Sequence, residues 1–328
     1  MSDNRSILTG KAVGMPLGRL LQGEALGEGR GSLLTGVYDV DHGFGGLPEK
    51  GLAVIAGRPM MGKSMFAQML ARNIALVFRT PVGYISSGCS ETELAGKMMA
   101  GIEEVYPCRM EMDGENVPLM NVVHEMQPPL YIQSYRDIKA NLEEYCKMMV
   151  EKRGVKVIFL DTVDDMMHPS RDFYAPGRKL KSLAMRLGIC IVAVAQLGRA
   201  VELRGGSKKP IMSDLRLGLE LDAEMLMLLY RPECYGFDMD ERGSTKGKLE
   251  VDVIGKGRSV DVNVMCRFSE KHQMMYIQRD QYALLKTEWP AAVDPLKDEM
   301  ALSADFYGFY SGVLEGNPYG ELLKCLLV

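Results

Sequence analysis

The chain has 328 residues, 47% hydrophobic and 25% charged, with a formal net charge of −4, which is ordinary for a soluble globular protein of one large or two small domains. No apolar stretch approaches the length of about 18 residues that a membrane span needs, so we expect no membrane association. Seven cysteines without a C-x-x-C pair, and no secretory signal, argue against a structural zinc site and indicate a reducing cytoplasm.

Residues 1–34 are rich in glycine and polar groups. The apolar spacing predicts one short helix over Pro16–Leu26. Because such a helix has little to pack against, we interpret this segment either as a disordered tail or as an arm that docks on a neighbouring subunit.

Between Thr35 and Tyr230, patterns typical of strands alternate with patterns typical of helices. Most of the predicted strands are apolar on both faces, which favours a parallel sheet covered by helices on each side. The predicted strands are Leu52–Ala56, Val82–Ser86, Leu130–Gln133, Val155–Asp161, Cys190–Gln196 and Met225–Tyr230. The predicted helices are Lys63–Val77, Thr92–Glu104, Ile138–Arg153 and Gly177–Leu187. We therefore predict an α/β fold.

From Lys248 onward the pattern changes to the alternation of an antiparallel strand pair around a turn at Gly257–Ser259. The alternating apolar residues are Leu249, Val251 and Val253 before the turn and Val260, Val262, Val264 and Cys266 after it. This predicts an antiparallel hairpin that extends the sheet, with Met274–Ile277 as a candidate for a further strand. Residues 35–278 thus form the predicted domain, and the weakly patterned residues 279–328 a C-terminal extension.

One segment after the first predicted strand fits the phosphate-binding pattern G-x-x-x-x-G-K-[ST]. It reads Gly57, Arg58, Pro59, Met60, Met61, Gly62, Lys63 and Ser64. Glycines let backbone N–H groups curl around a polyphosphate, and the start of the following helix adds partial positive charge. We expect Lys63 to reach the β- and γ-phosphates of ATP, and Ser64 to bind Mg²⁺.

Two polar residues at the ends of later predicted strands are candidates to complete this site. Asp161 follows four apolar residues and is expected to hold the Mg²⁺ shell, since the template of P-loop NTPases needs such a carboxylate. Gln196 ends another strand, at the sheet edge where ligands bind. We expect it to sense the γ-phosphate and to relay its loss to the following loop.

Six segments, one of them the phosphate-binding pattern, are spread along the chain from Thr35 to Arg258. They are Thr35–Asp41, Gly45–Leu47, Gly57–Ser64, Ala195–Arg199, Pro210–Arg216 and Gly255–Arg258. Together these segments resemble the ATPase domain of DnaB-type replicative helicases. The resemblance implies a RecA-like P-loop NTPase fold, with a mostly parallel twisted sheet. It also implies a homo-oligomeric ring, usually a hexamer, with ATP and Mg²⁺ bound between subunits.

The resemblance also implies which residues act across the subunit interface and on DNA. Lys256 and Arg258 match two cations that reach the neighbour's γ-phosphate and stabilise charge on the transferred phosphoryl group. Single-stranded DNA is expected on the loops at about 168–178 and 199–213. The predicted DNA-binding cations are Arg199, Arg204, Lys208, Lys209 and Arg216. A primase, a loader or another helicase are further candidate partners.

The chain departs from the family at the position of its catalytic glutamate. Alignment on Ser86 and Leu94 puts Gly88 at that position, and glycine cannot act as a base. Glu91 and Glu93 lie nearby but are expected to point along the next helix, and Asp164 and Asp165 are the alternative substitutes. We expect ATP binding to survive this change, whereas hydrolysis depends on the substitute.

Two further departures concern the DNA contact and the domain content. The segment Leu217–Leu221 is more apolar than its family counterpart and about two residues shorter, as judged by spacing from the preceding motif. Residues 1–34 are too few for the family's N-terminal helical domain.

Three functional hypotheses therefore stand. The first is a compact ATP-dependent replicative helicase, favoured by the ordered motifs. The second is an ATP-binding assembly or helicase-partner protein that hydrolyses poorly, favoured by Gly88. The third is a recombination ATPase of the RecA/RadA kind, which shares the fold but fits the motifs less well.

Overall fold

The computed structural model describes residues 33–99, 110–112, 115–117, 119–138, 141–167, 175–240, 243–256, 262–269, 274–277 and 310–315. Its strands are β1 Gly51–Gly57, β2 Val82–Ser86, β3 Met110–Met112, β4 Glu115–Val117, β5 Leu130–Ser134, β6 Val157–Asp161, β7 Cys190–Gln196, β8 Met225–Tyr230, β9 Met239–Asp240, β10 Gly243–Ser244, β11 Lys248–Gly255, β12 Val262–Ser269 and β13 Met274–Ile277. Its α-helices are α1 Tyr38–Phe44, α2 Lys63–Leu76, α3 Glu91–Met99, α4 Leu119–Met126, α5 Tyr135–Ile138, α6 Leu142–Arg153, α7 Val163–Met166, α8 Ala175–Leu187, α9 Ala200–Leu203, α10 Leu219–Asp222 and α11 Ser311–Leu314. Met212–Asp214 and Pro232–Tyr235 are 3-10 helices.

Nine of the described strands form one sheet, in the order β13-β12-β11-β8-β1-β7-β6-β2-β5. The strands from β8 to β5 in this order are parallel, and β11, β12 and β13 continue the sheet with antiparallel pairing. This confirms the prediction of a mostly parallel sheet with an antiparallel hairpin extension. The turn predicted at Gly257–Ser259 lies outside the described residues.

Apart from the half-buried edge strand β5, the parallel part of the sheet is buried on both faces because helices cover each side. In β1, Ala53 and Ile55 belong to one apolar cluster, whereas Leu52, Val54 and Ala56 belong to the other. This alternation follows the two-residue period of a strand. Helix α2 contributes to the first cluster and α8 to the second. The buried strands are mostly apolar for this reason.

One predicted helix, Ile138–Arg153, is wrong in its first turn. Helix α5 ends at Ile138, and α6 begins at Leu142. Between them, Asn141 has φ −137 and ψ 37, which is not helical, and its N–H donates to Ile138 O at 2.8 Å. Asparagine favours the position before a helix over the helix interior, so Asn141 is the signal for this break.

A short segment of the predicted C-terminal extension packs on the sheet domain. Tyr310 is fully buried, its hydroxyl donates to Asp41 Oδ2 at 2.7 Å, and its ring centroid lies 5.8 Å from that of Phe78. The Asp41 carboxylate also accepts the N–H of Thr35 at 2.8 Å and that of Gly36 at 2.9 Å. Burial raises the pKa of Asp41 to about 6, although these hydrogen bonds act to lower it.

Substitution of Tyr310→Phe is expected to lower the free energy of unfolding by about 1–3 kcal/mol at pH 8, because the buried, ionised Asp41 loses a donor. The pKa of Asp41 is higher in the folded state, at about 6, than its ordinary value of 3.8. Its protonated carboxyl therefore contributes fully to the free energy of unfolding below pH 3.8, and this contribution is lost as the pH rises through about 6. At pH 5 the folded-state carboxyl is mostly protonated, so the loss on substitution is expected to be smaller.

Urea unfolding at the two pH values measures this difference. Tyr131→Phe is the matched control, because within the described residues the Tyr131 hydroxyl has no hydrogen-bond partner. Equal losses for Tyr310→Phe at pH 5 and pH 8 would contradict the prediction.

No helix within the described ranges is both long enough and apolar enough to cross a membrane.

Candidate nucleotide-binding site

The predicted nucleotide-binding residues meet at the carboxyl edge of three adjacent parallel strands. Strand β1 ends at Gly57, β7 at Gln196 and β6 at Asp161. Gly57 pairs in register with Gln196, and the Leu197 N–H donates to Gly57 O at 3.2 Å. The sheet order therefore brings together residues that lie about a hundred positions apart in sequence, at the edge where α/β proteins bind ligands.

Two glycines give the loop at Gly57–Ser64 its shape. Gly62 has φ 84, in the left-handed region that favours glycine, and it directly precedes α2. At Gly57, an added Cβ would lie 3.2 Å from the Met61 Cβ and 3.3 Å from the Leu229 Cβ. The exposed tip of the loop is Pro59 and Met60. The loop thus turns back tightly onto the start of α2, which is the shape of a phosphate cradle.

Lys63 closes this loop with its side chain. Its Nζ donates to Arg58 O at 3.0 Å. Burial lowers the pKa of the ammonium, whereas the charges of Asp161 and Asp164 act to raise it. The Lys63 ammonium therefore lies between the loop backbone and two carboxylates, in a place where it can bind an anionic phosphate.

Ser64 and Asp161 are hydrogen-bonded to each other. The Ser64 hydroxyl donates to Asp161 Oδ1 at 3.0 Å, and the Tyr84 hydroxyl donates to Asp161 Oδ2 at 2.8 Å. Burial raises the pKa of Asp161, and the hydrogen bonds from Tyr84 and Ser64 act to lower it. The sequence analysis missed Tyr84, because it lies in the middle of an apolar strand and carries no motif.

The chemistry of these donors fits Mg²⁺. A serine hydroxyl and a carboxylate are hard oxygen ligands, and Mg²⁺ in nucleotide sites takes one or two such groups together with phosphate oxygens and water. Within the described residues no group of three or more histidine, cysteine or acidic side chains is placed to hold a metal ion. Ser64 and Asp161 are thus a suitable pair for Mg²⁺ that arrives with a nucleotide.

Two buried arginines connect the loop to its surroundings. Arg231, which follows β8, donates from Nη1 to Met60 O at 3.2 Å. The Arg58 side chain donates instead to the segment after β7, with Nη1 to Leu197 O at 2.7 Å and Nη2 to Glu202 Oε1 at 2.6 Å. The backbone of Arg58 thus belongs to the cradle, as predicted for the motif, but its guanidinium is occupied elsewhere.

Gly88 lies in the exposed turn after β2, and a Cβ added there would have nothing within 4 Å. Neither glutamate on α3 is placed to replace a base at this position. Glu91 Oε1 accepts the Ser134 N–H at 2.8 Å at the end of β5, and Glu93 forms an ion pair with Lys97 at 2.7 Å. Both glutamates are therefore engaged by other partners.

The two aspartates after β6 differ in their surroundings. Asp165 Oδ2 accepts the hydroxyls of Ser87 and Thr162, each at 2.8 Å. Asp164 Oδ2 accepts the N–H of Gln196 at 2.7 Å, and its charge acts on Lys63. Burial raises the pKa of Asp164, while the bond from Gln196 acts to lower it. Asp164 is thus the candidate substitute that joins the strand-end glutamine to the cradle.

Three cationic side chains of the basic loop after β7 form hydrogen bonds and ion pairs within the protein. Arg204 donates to Lys209 O at 2.7 Å and to Asp214 Oδ1 at 2.5 Å. Lys208 Nζ donates to Glu202 O at 3.0 Å, and Lys209 Nζ pairs with Glu250 at 2.5 Å. These three predicted DNA-binding cations therefore hold the loop together.

Arg199 and Arg216 are exposed, and within the part of the chain that the structure describes neither side chain forms a hydrogen bond or ion pair. Arg216 lies near enough to Asp164 to act on its pKa. Of the predicted DNA-binding cations, these two have guanidinium groups available to a ligand. The other predicted DNA loop lies mostly outside the described residues, which omit 168–174.

Lys256 lies at the end of the sheet where the parallel strands begin, opposite the end that carries its own P-loop. It follows β11, whose last residue Gly255 pairs with Met225, and Met225 in turn pairs with Ala53 near the start of β1. Four residues of β1 separate that level from Gly57, or roughly 13 Å at the rise of a strand. Its Nζ donates to Leu221 O at 3.2 Å. Arg258 lies outside the described residues.

Comparison with known proteins agrees with this geometry. Residues 32–276 match the family described as DnaB-like helicase C terminal domain. The chain belongs to this family. The match runs from before the bridge at Leu33 through strand β12 and covers all of β13 except Ile277.

Relatives of the DnaB-like family include the Replicative DNA helicase DnaB of Buchnera aphidicola subsp. Schizaphis graminum, 29% identical over 71% of this chain and 52% of that protein. The Replicative DNA helicase DnaB of Haemophilus influenzae is 28% identical over 69% of this chain and 50% of that protein. The Probable plasmid replicative DNA helicase of Chlamydia psittaci is 26% identical over 76% and 56%. The chain spans about half the length of these curated relatives.

Solved structures of related ATPase domains share the fold. One of them, an ATPase domain, has a TM-score of 0.62 at 19% identity, over 82% of this chain and 100% of that one. A DnaB-like replicative helicase studied for its interactions with primase has a TM-score of 0.61 at 21% identity, over 82% and 69%. The predicted RecA-like fold is thereby confirmed.

Proposed function

We propose that the chain is an ATP-hydrolysing motor of the replicative helicase kind, which assembles into a ring, expected to be a hexamer, and moves along single-stranded DNA. The observation that carries the proposal is that Lys63, Ser64, Asp161 and Gln196 meet at one sheet edge. Membership in the DnaB-like family and the names of the relatives support the replicative role.

The residues at this edge have different roles in phosphoryl transfer. Lys63 binds the β- and γ-phosphates of ATP, while Ser64 and Asp161 hold the Mg²⁺ shell. The Tyr84 hydroxyl fixes the orientation of the Asp161 carboxylate. Bound Mg²⁺ supplies positive charge that offsets the charge on the phosphate oxygens. Gln196 lies where it can sense the γ-phosphate.

We assign to Asp164 the role of orienting the water that attacks the γ-phosphate. It is the carboxylate that is tied to Gln196 and faces Lys63, and burial raises its pKa towards the range useful for a base. Glu91, Glu93 and Asp165 are each held by other partners. In this proposal Asp164 takes over the task that a glutamate at Gly88 performs in the family.

Hydrolysis in this proposal requires assembly. Lys256 lies at the sheet edge opposite its own cradle, so it serves the P-loop of a neighbouring copy together with Arg258. Cations that stabilise the transition state from a neighbour contribute about 10³–10⁵ in rate where they have been studied. An isolated chain is therefore expected to bind ATP but to hydrolyse it slowly.

Substitution of Arg199→Ala is expected to weaken binding of single-stranded DNA several-fold and to lower the slope of log K against log salt concentration by about 0.7, the share of one phosphate contact. Arg204→Ala is the informative comparison. Because Arg204 pairs with the buried Asp214, the substitution Arg204→Ala is expected to lower the free energy of unfolding by about 1–3 kcal/mol. Fluorescence anisotropy at several salt concentrations measures the slope, and an unchanged slope in Arg199→Ala would remove Arg199 from the DNA-binding set.

A second candidate is an ATP-binding assembly or helicase-partner protein that hydrolyses poorly. Gly88 favours it, since glycine supplies no base. The two candidates differ in turnover, because the second uses ATP as a structural ligand. The RecA/RadA-like alternative would exchange DNA strands on an open filament, and family membership favours the helicase over it.

The proposed partners are single-stranded DNA, further copies of the chain and a replication protein such as a primase, a loader or another helicase. A solved relative was studied for its interactions with primase, which supports that choice. We place this activity in the cytoplasm, where the relatives' replication role belongs.

Unwinding of a forked DNA duplex tests the proposed function. The wild-type chain is expected to separate the strands with ATP and Mg²⁺, and Lys63→Ala is expected to be inactive because it lacks the cation of the cradle. Light scattering on the same samples reports the size of the assembly. Unwinding no faster than that of Lys63→Ala, by a wild-type chain that assembles and binds ATP, would favour the second candidate.

A further inference from the structure

The Arg58 guanidinium connects the P-loop to the basic loop after β7. Its Nη1 donates to Leu197 O at 2.7 Å, and its Nε and Nη2 donate to Glu202 Oε1 at 2.9 and 2.6 Å. All three nitrogens thus contact residues 197–202. Arg58 is only 8% exposed, whereas the Glu202 side chain is 47% exposed, and a charge-assisted bond from a buried guanidinium holds its acceptor in a defined geometry.

The backbone of Arg58 is tied to the other side, where phosphates bind. Its carbonyl accepts the hydrogen bond from Lys63 Nζ at 3.0 Å. Phosphate oxygens compete for that ammonium, because it is the cation of the cradle. Binding or release of a nucleotide therefore changes the hydrogen bonding of the Arg58 peptide, and the guanidinium on the same residue transmits the change to Leu197 and Glu202.

The receiving loop is braced by hydrogen bonds at its ends and within it. The Gly198 N–H donates to Asp214 O at 2.9 Å, which joins its two ends. Arg204 binds Asp214 from within the loop, and Lys208 donates to Glu202 O. A displacement at Glu202 is consequently passed along the loop through packed and hydrogen-bonded contacts, which is how coupling between sites is carried.

We infer that Arg58 is a positioning residue, which couples the nucleotide state of the P-loop to the DNA-binding state of residues 197–214 through Glu202. The inference rests on the proposed function, since it takes this loop as the DNA contact. A purely structural role for Arg58 makes a different prediction. It would change stability or ATP affinity, but not the dependence of DNA affinity on nucleotide.

The experiment measures that dependence on the full 328-residue chain. The affinity for a fluorescent thymidine oligonucleotide is determined without nucleotide and with a saturating, non-hydrolysable ATP analogue, and the ratio is the coupling factor. Such factors are typically about 5–150. Glu202→Ala is expected to reduce the coupling factor at least about fivefold, or to 1 if the wild-type factor is smaller. Affinity for the analogue in the absence of DNA is expected to stay within about twofold.

Two further variants sharpen the result. Glu202→Gln keeps an acceptor oxygen for Arg58 but loses the charge, and it is expected to give an intermediate coupling factor. Glu143→Ala is the matched control, because it removes another exposed glutamate paired with an arginine, Arg186, on helices α6 and α8 rather than in the P-loop or the loop after β7. The control is expected to leave the coupling factor unchanged.

The outcomes separate the inference from the proposed function. A wild-type chain that does not bind single-stranded DNA overturns the proposed function, and the coupling role with it. A wild-type chain that binds DNA but has a coupling factor of 1, or Glu202→Ala that keeps the wild-type factor, overturns the coupling role of Arg58 and leaves the proposed function standing.

Discussion

Substitution of Asp164→Asn is expected to lower the rate of ATP hydrolysis by about 10²–10⁴-fold, the usual cost of losing a group that activates water. Asparagine keeps an oxygen that can accept the Gln196 N–H, so the loop geometry and the affinity for ATP are expected to stay close to those of the wild type. Single-turnover hydrolysis on assembled protein measures the rate, and binding of a fluorescent ATP analogue measures the affinity.

Two companion variants show whether Asp164 is the substitute carboxylate. Asp165→Asn is the matched control, since its carboxylate is held by the hydroxyls of Ser87 and Thr162 and is expected to affect the rate by less than about tenfold. Gly88→Glu introduces a side chain where nothing lies within 4 Å of a new Cβ. It is expected to restore hydrolysis to Asp164→Asn. A full rate in Asp164→Asn, or an equal loss in Asp165→Asn, would contradict the assignment.

The second large effect is expected from mixing two inactive variants. Lys63→Ala lacks the cation of its own cradle, and Arg258→Ala lacks the cation proposed to act on the neighbour. Each variant is expected to lose on the order of 10³ or more in rate when assayed separately. Mixed and reassembled together, they form some interfaces with an intact cradle from one copy and an intact arginine from the other.

Recovered hydrolysis in the mixture is therefore expected, and it would show that the site is shared between copies. Lys63→Ala mixed with Lys63→Ala/Arg258→Ala is the control, because no interface then contains both groups. The position of Lys256 at the edge opposite its own cradle is the reason for this expectation. No recovery in reassembled mixtures of confirmed size would contradict hydrolysis between subunits.

The sequence predicted the fold because its signals are local. Buried parallel strands are apolar throughout, and each is followed by a helix pattern, so the alternation along the chain defines the sheet and its two helix layers. The residues of the cradle were predicted for a related reason. Lys63 and Ser64 lie in a contiguous motif, and Asp161 and Gln196 each end an apolar run, which places them at one edge.

Other features of the site could not be read from the sequence, because they depend on contacts between distant residues. Tyr84 lies in an apolar strand, and its hydroxyl matters only because β2 lies beside β6. The Arg58 side chain leaves its own motif to bind Glu202, a residue 144 positions away. The sequence predicts Arg204 to be a DNA-binding cation, whereas in the folded loop it forms an ion pair with Asp214.

Single-turnover hydrolysis of ATP, measured with and without single-stranded DNA, tests the central claim most directly. Wild-type protein assembled with Mg²⁺ is expected to hydrolyse bound ATP, and DNA is expected to raise the rate at least about tenfold, whereas Lys63→Ala shows neither effect. A wild-type chain that binds ATP and DNA, yet hydrolyses no faster than Lys63→Ala, would contradict the claim that Asp164 compensates for Gly88 and that this chain is a motor.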